Sequence, residues 1–372
     1  MRVAIMGAGI GGLTLAQGLL KAGVDVTVYE RDPSPQHRNQ GYRIHISPVG
    51  EEALAATLPS AVRRRVIATA TQPGDLVAGF DHQLDSQFEQ VFPIAGPDAV
   101  TSVDRYAFRR ALMTGLDDVL RFGKQFTSYA EGQDGVEISF ADGSSAAVDV
   151  LVGADGVGSV VRSQLLPDFD VVDIGVRCVY GKVPVTPEVR ALAPEAFLRG
   201  FCYASGPTGL GVAFAPTLFR EPPAEYGDYL MAVLVGTNSL LDASDDELFG
   251  MAAPELWSLF TRSVTDWHPT IRALIARGEP DAAFPITLRT CITVPTWTSA
   301  RVTLLGDAVH PMTPAAGAGA NTALWDAARL TQALISGEDL AIYQQEMVAN
   351  GQKAVTESLQ NAERMFNVTI AA

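Results

Sequence analysis

Three groups of residues in this 372-residue chain have types and spacings suited to chemistry. The first is GAGIGG, with glycines at 7, 9 and 12, Ile10 and Gly11 between them, and a glutamate at position 30. In a strand, turn and helix setting the three glycines do different things. Gly7 makes the tight turn, Gly9 lets a pyrophosphate reach the backbone, and Gly12 lets helix and strand pack closely. Free amides at the start of the helix then face the phosphates. Glu30, 18 residues beyond Gly12, is placed to accept hydrogen bonds from an adenosine ribose. The second group is GADGVGSVVR, with Asp155 and Gly156 after an apolar run. The third is GDAVHPMTPAAGAGAN, with Gly306, Asp307 and His310, then Pro314, then Gly317, Ala318, Gly319, Ala320 and Asn321. Aspartates at strand ends suit ribose or ribityl hydroxyls, which need acceptors. Taken alone, either one reads first as a helix cap or turn residue.

The elements that must position these groups follow from the hydrophobic pattern. RVAIM, residues 2 to 6, suits a buried parallel strand. Leu13, Ala16, Leu19 and Leu20 recur at helical spacing, Gly23 ends that helix, and Val24 to Glu30 reads as a second strand, completing a βαβ unit. The runs from Asp149 and from Val302 each repeat the order of strand, glycine turn and helix. Between about 164 and 290 short β-like runs such as VRCVYGKVPV, GLGVAFAP and YLMAVLVG alternate with proline- and glycine-rich turns, which reads as an antiparallel sheet. Residues 337–372 form a C-terminal segment with helical spacing from Asp339 to Phe366.

Composition narrows the function classes. Forty-two acidic against 27 basic side chains give a net charge of −15. Phosphate backbones and anionic membranes would repel such a chain unless it carried a basic patch, so no nucleic-acid partner is expected. The one dense cluster, Arg63 to Arg65, reads as a solvated turn or helix end. Cys178, Cys202 and Cys291 are odd in number and form no CxxC, which supports neither disulfides nor a metal site and fits a reducing cytoplasmic setting. Val3 to Leu20 carries no charge, but its five glycines favour a strand, turn and helix over a membrane span, and no targeting signal is evident.

In this order the three motifs resemble those of the class A FAD-dependent monooxygenases of the p-hydroxybenzoate hydroxylase type, over nearly the whole chain. The resemblance implies an α/β flavoprotein: a Rossmann-like FAD-binding domain (1–74, 99–163 and 291–336), an antiparallel β-sheet substrate domain (75–98 and 164–290) and a C-terminal helix. It implies that Arg31 lies near the adenine half, that Asp307 binds the ribityl chain, and that Asp155 serves both FAD and the nicotinamide donor. Arg105, in VDRYAFRRAL, would contact the flavin side. The family strand written G-x-G-I-x-L becomes GYRIHI here, so Arg43 replaces a small residue and His45 a small polar one. Arg43 is counted with the cofactor residues. His45 is the candidate catalytic base, or else a polar strand residue bonded to backbone or cofactor. The matched helix at AAGAGAN would aim its amides at the flavin pyrimidine edge, and His310 would support the cofactor site.

The activity so implied is that of an FAD-dependent NAD(P)H:oxygen oxidoreductase. It would hydroxylate or epoxidise an electron-rich aromatic or polyene small molecule with NAD(P)H and dioxygen through a flavin C4a-hydroperoxide. The protein would act as monomer or homodimer. The alternative is a redox-neutral or halogenating flavoenzyme on the same fold. Against a halogenase, the chain has no WxWxIP and no lysine between Lys21 and Lys124. No thioredoxin-like C-terminal domain is expected. Tyr203, Phe214, Phe284 and Trp297 are left open between an aromatic pocket and core packing.

Overall fold

The computed structural model describes residues 1–37, 41–96 and 98–370. Its centre is a five-stranded, all-parallel sheet in the order Val302–Leu304, Val150–Gly153, Arg2–Met6, Asp25–Tyr29, Leu120–Arg121. Strands Val150–Gly153 and Val302–Leu304, and Arg2–Met6 from Val3 onward, are apolar and buried, as a parallel sheet requires, while Asp25–Tyr29 alternates. The uncharged opening run is therefore a core strand and a helix, Ile10–Lys21. Helix Gly319–Ser336 lies against that helix. At Gly18 a Cβ would sit 2.6 Å from the Thr331 hydroxyl, so only glycine admits this approach.

The second large sheet has seven strands, in the order Phe284–Thr290, Val172–Pro184, Tyr229–Thr237, Gly211–Thr217, Gly200–Ser205, Leu76–Asp81, Ser86–Val91. Every pair is antiparallel except Gly200–Ser205 with Leu76–Asp81. Side chains alternate between its two faces. Val179, Phe214, Leu230 and Leu234 point outward into a cluster with Phe197, Trp257 and Phe260. Tyr180, Ala213, Ala215, Tyr229 and Met231 point inward, where Ala362 and Phe366 of the C-terminal helix join them. Because the central strands are buried on both faces, they read in sequence as continuous apolar runs.

Six helices, Pro187–Leu192, Glu195–Arg199, Asn238–Leu241, Asp245–Gly250, Ala253–Ser263 and Pro269–Ile275, interrupt the segment that the sequence pattern presents as sheet. Their signals are present: Ser244 and Glu247 form a capping box, and Pro254 and Pro269 occupy first turns. A two-stranded ribbon, Arg43–His45 with Ser102–Asp104, joins the two large sheets, and helix Leu340–Phe366 closes the chain. Among the described residues no helix is long and apolar enough to cross a membrane, no group of side chains could hold a metal ion, and all three cysteines are free and buried.

Candidate cofactor and active site

The glycine loop follows from Arg2–Met6 by steric necessity. Gly7 has φ +111°, and a Cβ there would lie 2.3 Å from the Ala154 carbonyl, on the residue preceding Asp155. A Cβ on Gly12 would lie 2.2 Å from the Gly7 carbonyl. Beside Gly9, by contrast, nothing lies within 4 Å of where a Cβ would sit, so the backbone there forms an open wall. Gly9 starts helix Ile10–Lys21 without any side-chain cap, leaving the first amides for a ligand. Glu30 ends the next strand, its Oε2 accepting from the Ala8 amide at 2.9 Å and its Oε1 from the Asp32 amide at 3.0 Å. A carboxylate retains acceptor capacity after two such bonds. Arg31, next along, is exposed.

Asp155 acts as a helix cap and keeps one oxygen unengaged. Its Oδ2 accepts from the amides of Val160 and Val161 at 2.8 and 3.3 Å, as a helix cap does, while its shielded Oδ1 has no partner among the described residues. Gly156 beside it has φ +80°. Gly306 and Asp307 form a single turn of 3-10 helix whose shape depends on Asp326. The Asp326 Oδ2 accepts from the Gly306 amide at 2.8 Å and lies 2.7 Å from His310 Nε2, with both side chains fully buried. Burial alone would depress His310, but the Asp326 carboxylate more than offsets it and raises the imidazole above its ordinary value. Asp307 itself opens to the surface. The protein around it pushes its carboxyl above the usual range, with His310 and Arg105 opposing and Asp326 reinforcing that rise.

Pro314 to Ala316 make a short turn, Gly317 adopts φ +60°, and helix Gly319–Ser336 starts from Ala318, again with no side-chain cap. A Cβ on Gly319 would sit 3.9 Å from Asp307 Oδ1, which places that carboxylate at the uncapped helix end. Other helices at this centre are capped by side chains: Pro48–Thr57 by Ser47, Arg105–Leu112 by Asp104 and Val160–Leu165 by Ser159. Two open helix ends, each beside a carboxylate, suit the two halves of a dinucleotide.

The model of the FAD-binding domain family matches residues 1–219 and 261–358. The chain belongs to this family.

A proposed FAD-containing monooxygenase from Photorhabdus luminescens superposes with a TM-score of 0.83 at 33% identity, covering 99% of each chain. A dual O-methyltransferase/FAD-dependent monooxygenase of Cercospora beticola is 32% identical over 98% of this chain and 46% of its own. The corresponding enzyme of Phaeosphaeria nodorum is 34% identical over 90% and 40%. The chain thus spans less than half the length of these relatives. It covers 82% of the 6-hydroxynicotinate 3-monooxygenase of Pseudomonas fluorescens, at 29% identity over 90% of this chain.

The residues present fit FAD: an open glycine wall, two uncapped helix ends, the Glu30 carboxylate with spare acceptor capacity and a shielded Asp155 oxygen without a partner among the described residues. The structure brings His45 to this FAD site. A Cβ on Gly317 would lie 3.9 Å from His45 Cβ. The surrounding protein and the charge of Arg43 hold the His45 imidazole below its ordinary value, against an opposing contact from Thr101. Asn321 acts here as a clamp. Its Oδ1 accepts from the Ser47 amide at 2.8 Å, and its Nδ2 donates to the carbonyls of His45 and Gly317, each at 3.0 Å. Its side chain is thereby committed to backbone, leaving only its amide for the cofactor. Arg105 lies over the Tyr42 ring, 5.7 Å from its centre, within electrostatic reach of Asp307.

Sequence reasoning misses Arg109. It is buried, donates to the carbonyls of Ala8 at 2.8 Å and Pro35 at 2.9 Å, and lies 3.8 Å from Glu30, tying the glycine loop to the Glu30 carboxylate. The available signal is its place one turn after Arg105 on the same helix. Asp326 is missed too, although it is a lone acid on an apolar helical stripe. The four aromatic candidates separate. Phe214 lies in the outer cluster and Trp297 packs on the FAD-domain core, while Tyr203 and Phe284 face the FAD side of the sheet.

Proposed function

We propose that the chain is an FAD-dependent monooxygenase for an electron-rich aromatic or polyene small molecule. In this reading residues 1–74, 99–163 and 291–336 hold FAD, and 75–98 with 164–290 cover the substrate. Support comes from the family match across both segments and from relatives named as FAD-dependent monooxygenases. The observation that carries the reading is the junction at Gly317, where an uncapped helix end, Asp307 and His45 meet beneath a sheet face bearing Tyr180, Tyr203 and Phe284.

When bound, FAD would supply the electrophilic oxygen, drawing on NADH or NADPH and dioxygen. The chain's own residues do the rest. The amides of Ile10 to Gly12 hold the pyrophosphate, and Glu30, steadied by Arg109, holds the adenosine ribose with Arg31 alongside. Asp307 accepts from the ribityl chain, and Asp155 offers its second oxygen. The helix end at Ala318 to Ala320 favours negative charge on the flavin edge. His45, kept neutral by its surroundings, accepts a proton from a substrate hydroxyl. The inner sheet face, closed by Phe366, excludes water.

The test is consumption of NADH and NADPH under air with a panel of phenols, polyketides and prenylated indoles. Substrate-stimulated consumption with an oxygenated product is expected; turnover without oxygen incorporation overturns the proposal. The purified protein should also show a flavin spectrum.

A further inference from the structure

Arg43, which is half-buried, differs from the buried cations. Arg109 is satisfied by carbonyls and Glu30. Arg162 donates to the carbonyls of Ala308 and Val157, and Arg177 is held by Asp173 and Asp245. Lys182 lies 3.9 Å from Asp104 and above the rings of Tyr226 and Tyr229. Arg43 makes no ion pair or hydrogen bond among the described residues, and its Nε is shielded from solvent.

Its surroundings give direction to this isolation. Arg43 and His45 share one face of the ribbon strand by alternation. The groups whose charges act on them are each other and Tyr229, on the inner face of the seven-stranded sheet. Tyr229 cannot serve as a counterion, because its hydroxyl donates to Asp104 Oδ2 at 2.7 Å. Asp104 is also engaged: its Oδ1 accepts from the Ala107 amide at 2.8 Å and from Tyr226 at 2.5 Å, and Lys182 faces its Oδ2. The carboxylate paired with Arg43 across the ribbon is thus engaged by other groups. Burial pushes Arg43 down to about 10, which leaves it charged at neutral pH. A half-buried cation with a shielded, unpartnered Nε and no counterion carries part of that desolvation cost, and an arriving anion offsets it.

We infer that Arg43 is a specificity-determining residue for the substrate: its guanidinium receives an oxyanion, carboxylate or phenolate, of a planar aromatic molecule lying between the ribbon and the inner sheet face. This rests on the flavoenzyme reading above and moves Arg43 from the cofactor residues to the substrate side. The planar fork suits two oxygens of a carboxylate or one phenolate oxygen.

The test uses the FAD-loaded protein and follows changes in flavin absorbance or fluorescence. Four probes are titrated: benzoate against benzamide, and pentafluorophenol, ionised at neutral pH, against pentafluorobenzene. In the wild type one anion should bind about tenfold or more tightly than its neutral partner, the size expected of a charge-assisted hydrogen bond. A preference in the first pair assigns a carboxylate, and in the second a phenolate. Arg43→Gln should bring the ratio to about one with FAD content unchanged. Arg43→Lys, which keeps charge without the fork, should retain FAD with a reduced ratio, and it carries the test if the glutamine variant does not fold. Loss of FAD in either folded variant overturns the assignment by making Arg43 a cofactor ligand. An undiminished anion preference in the variants, or none in the wild type, also overturns it. A wild-type chain that cannot hold FAD overturns the flavoenzyme reading instead, so the two failures are distinguishable.

Discussion

The two large sheets present polar chemistry in different ways. Around the parallel sheet the groups offered to a ligand are mostly backbone: the open wall at Gly9, the uncapped helix starts at Gly9 and Ala318, and glycine positions where a Cβ would collide with a carbonyl. Beneath the seven-stranded sheet they are side chains in mutually dependent clusters, such as Asp104 with Lys182, Tyr226 and Tyr229. Backbone recognition demands glycine at set spacings, because any side chain would occupy the ligand's path. Side-chain recognition demands only that several distant residues meet, and many sequences satisfy that.

The contrast can be broken by substitution. Gly12→Val should have the largest effect: with a side chain forced against the Gly7 carbonyl, flavin absorbance per chain should fall to background, and a variant with normal flavin content would refute the close-packing argument. Asp326→Asn comes next, because leaving His310 without its carboxylate costs about 3–5 kcal/mol, measurable by urea denaturation. The same variant has a pH signature. Since folding raises His310 above its ordinary 6.5, its contribution is fully present below that value and is lost as pH rises through the folded one. Wild-type Tm should therefore decline as the pH rises above 6.5, whereas the Asp326→Asn profile should lack that decline.

Asp307→Ala removes an acceptor of cofactor hydroxyls and should weaken FAD retention about tenfold or more, equivalent to roughly 1.5–3 kcal/mol for a bond to a charged group. Unchanged flavin content after dialysis would remove that assignment. On the substrate side, Tyr229→Phe deprives Asp104 of one partner and should cost about 1–3 kcal/mol of stability while leaving flavin content unaltered, which sharpens the division between the sheets. Arg110→Ala breaks an ion pair with Glu225 that is open to solvent. Its effect on stability should stay below about 1 kcal/mol, and a larger loss would show that this surface contributes more than its geometry allows.

Legibility follows the same division. The unit from Arg2 to Tyr29 is readable because local periodicity and glycine chemistry specify it within thirty residues. Asp339 to Phe366 reads as a helix and is one, capped by Asp339. The four helices between Asn238 and Ile275 are obscured by strong apolar strands on either side. Arg43 reads as a cofactor residue by its place in a motif, although its lack of a counterion is visible only in the folded arrangement. Phe214 and Tyr203 are indistinguishable as aromatic strand residues, yet strand pairing turns them to opposite faces.

The glycine-motif unit, the fold class and the net negative charge are legible in the sequence alone. Those properties reside in spacing, in residues that must be glycine, and in summed charge. It takes the folded arrangement to bring Asp104 to Tyr226 and Tyr229 across 122 and 125 residues, to clamp the His45 strand by Asn321 across 276, and to leave the Arg43 side chain without a partner among the described residues. Contacts over such separations carry no local periodicity. They form when two sheets close on one ribbon and the desolvated charges between them are either paired or left for a ligand.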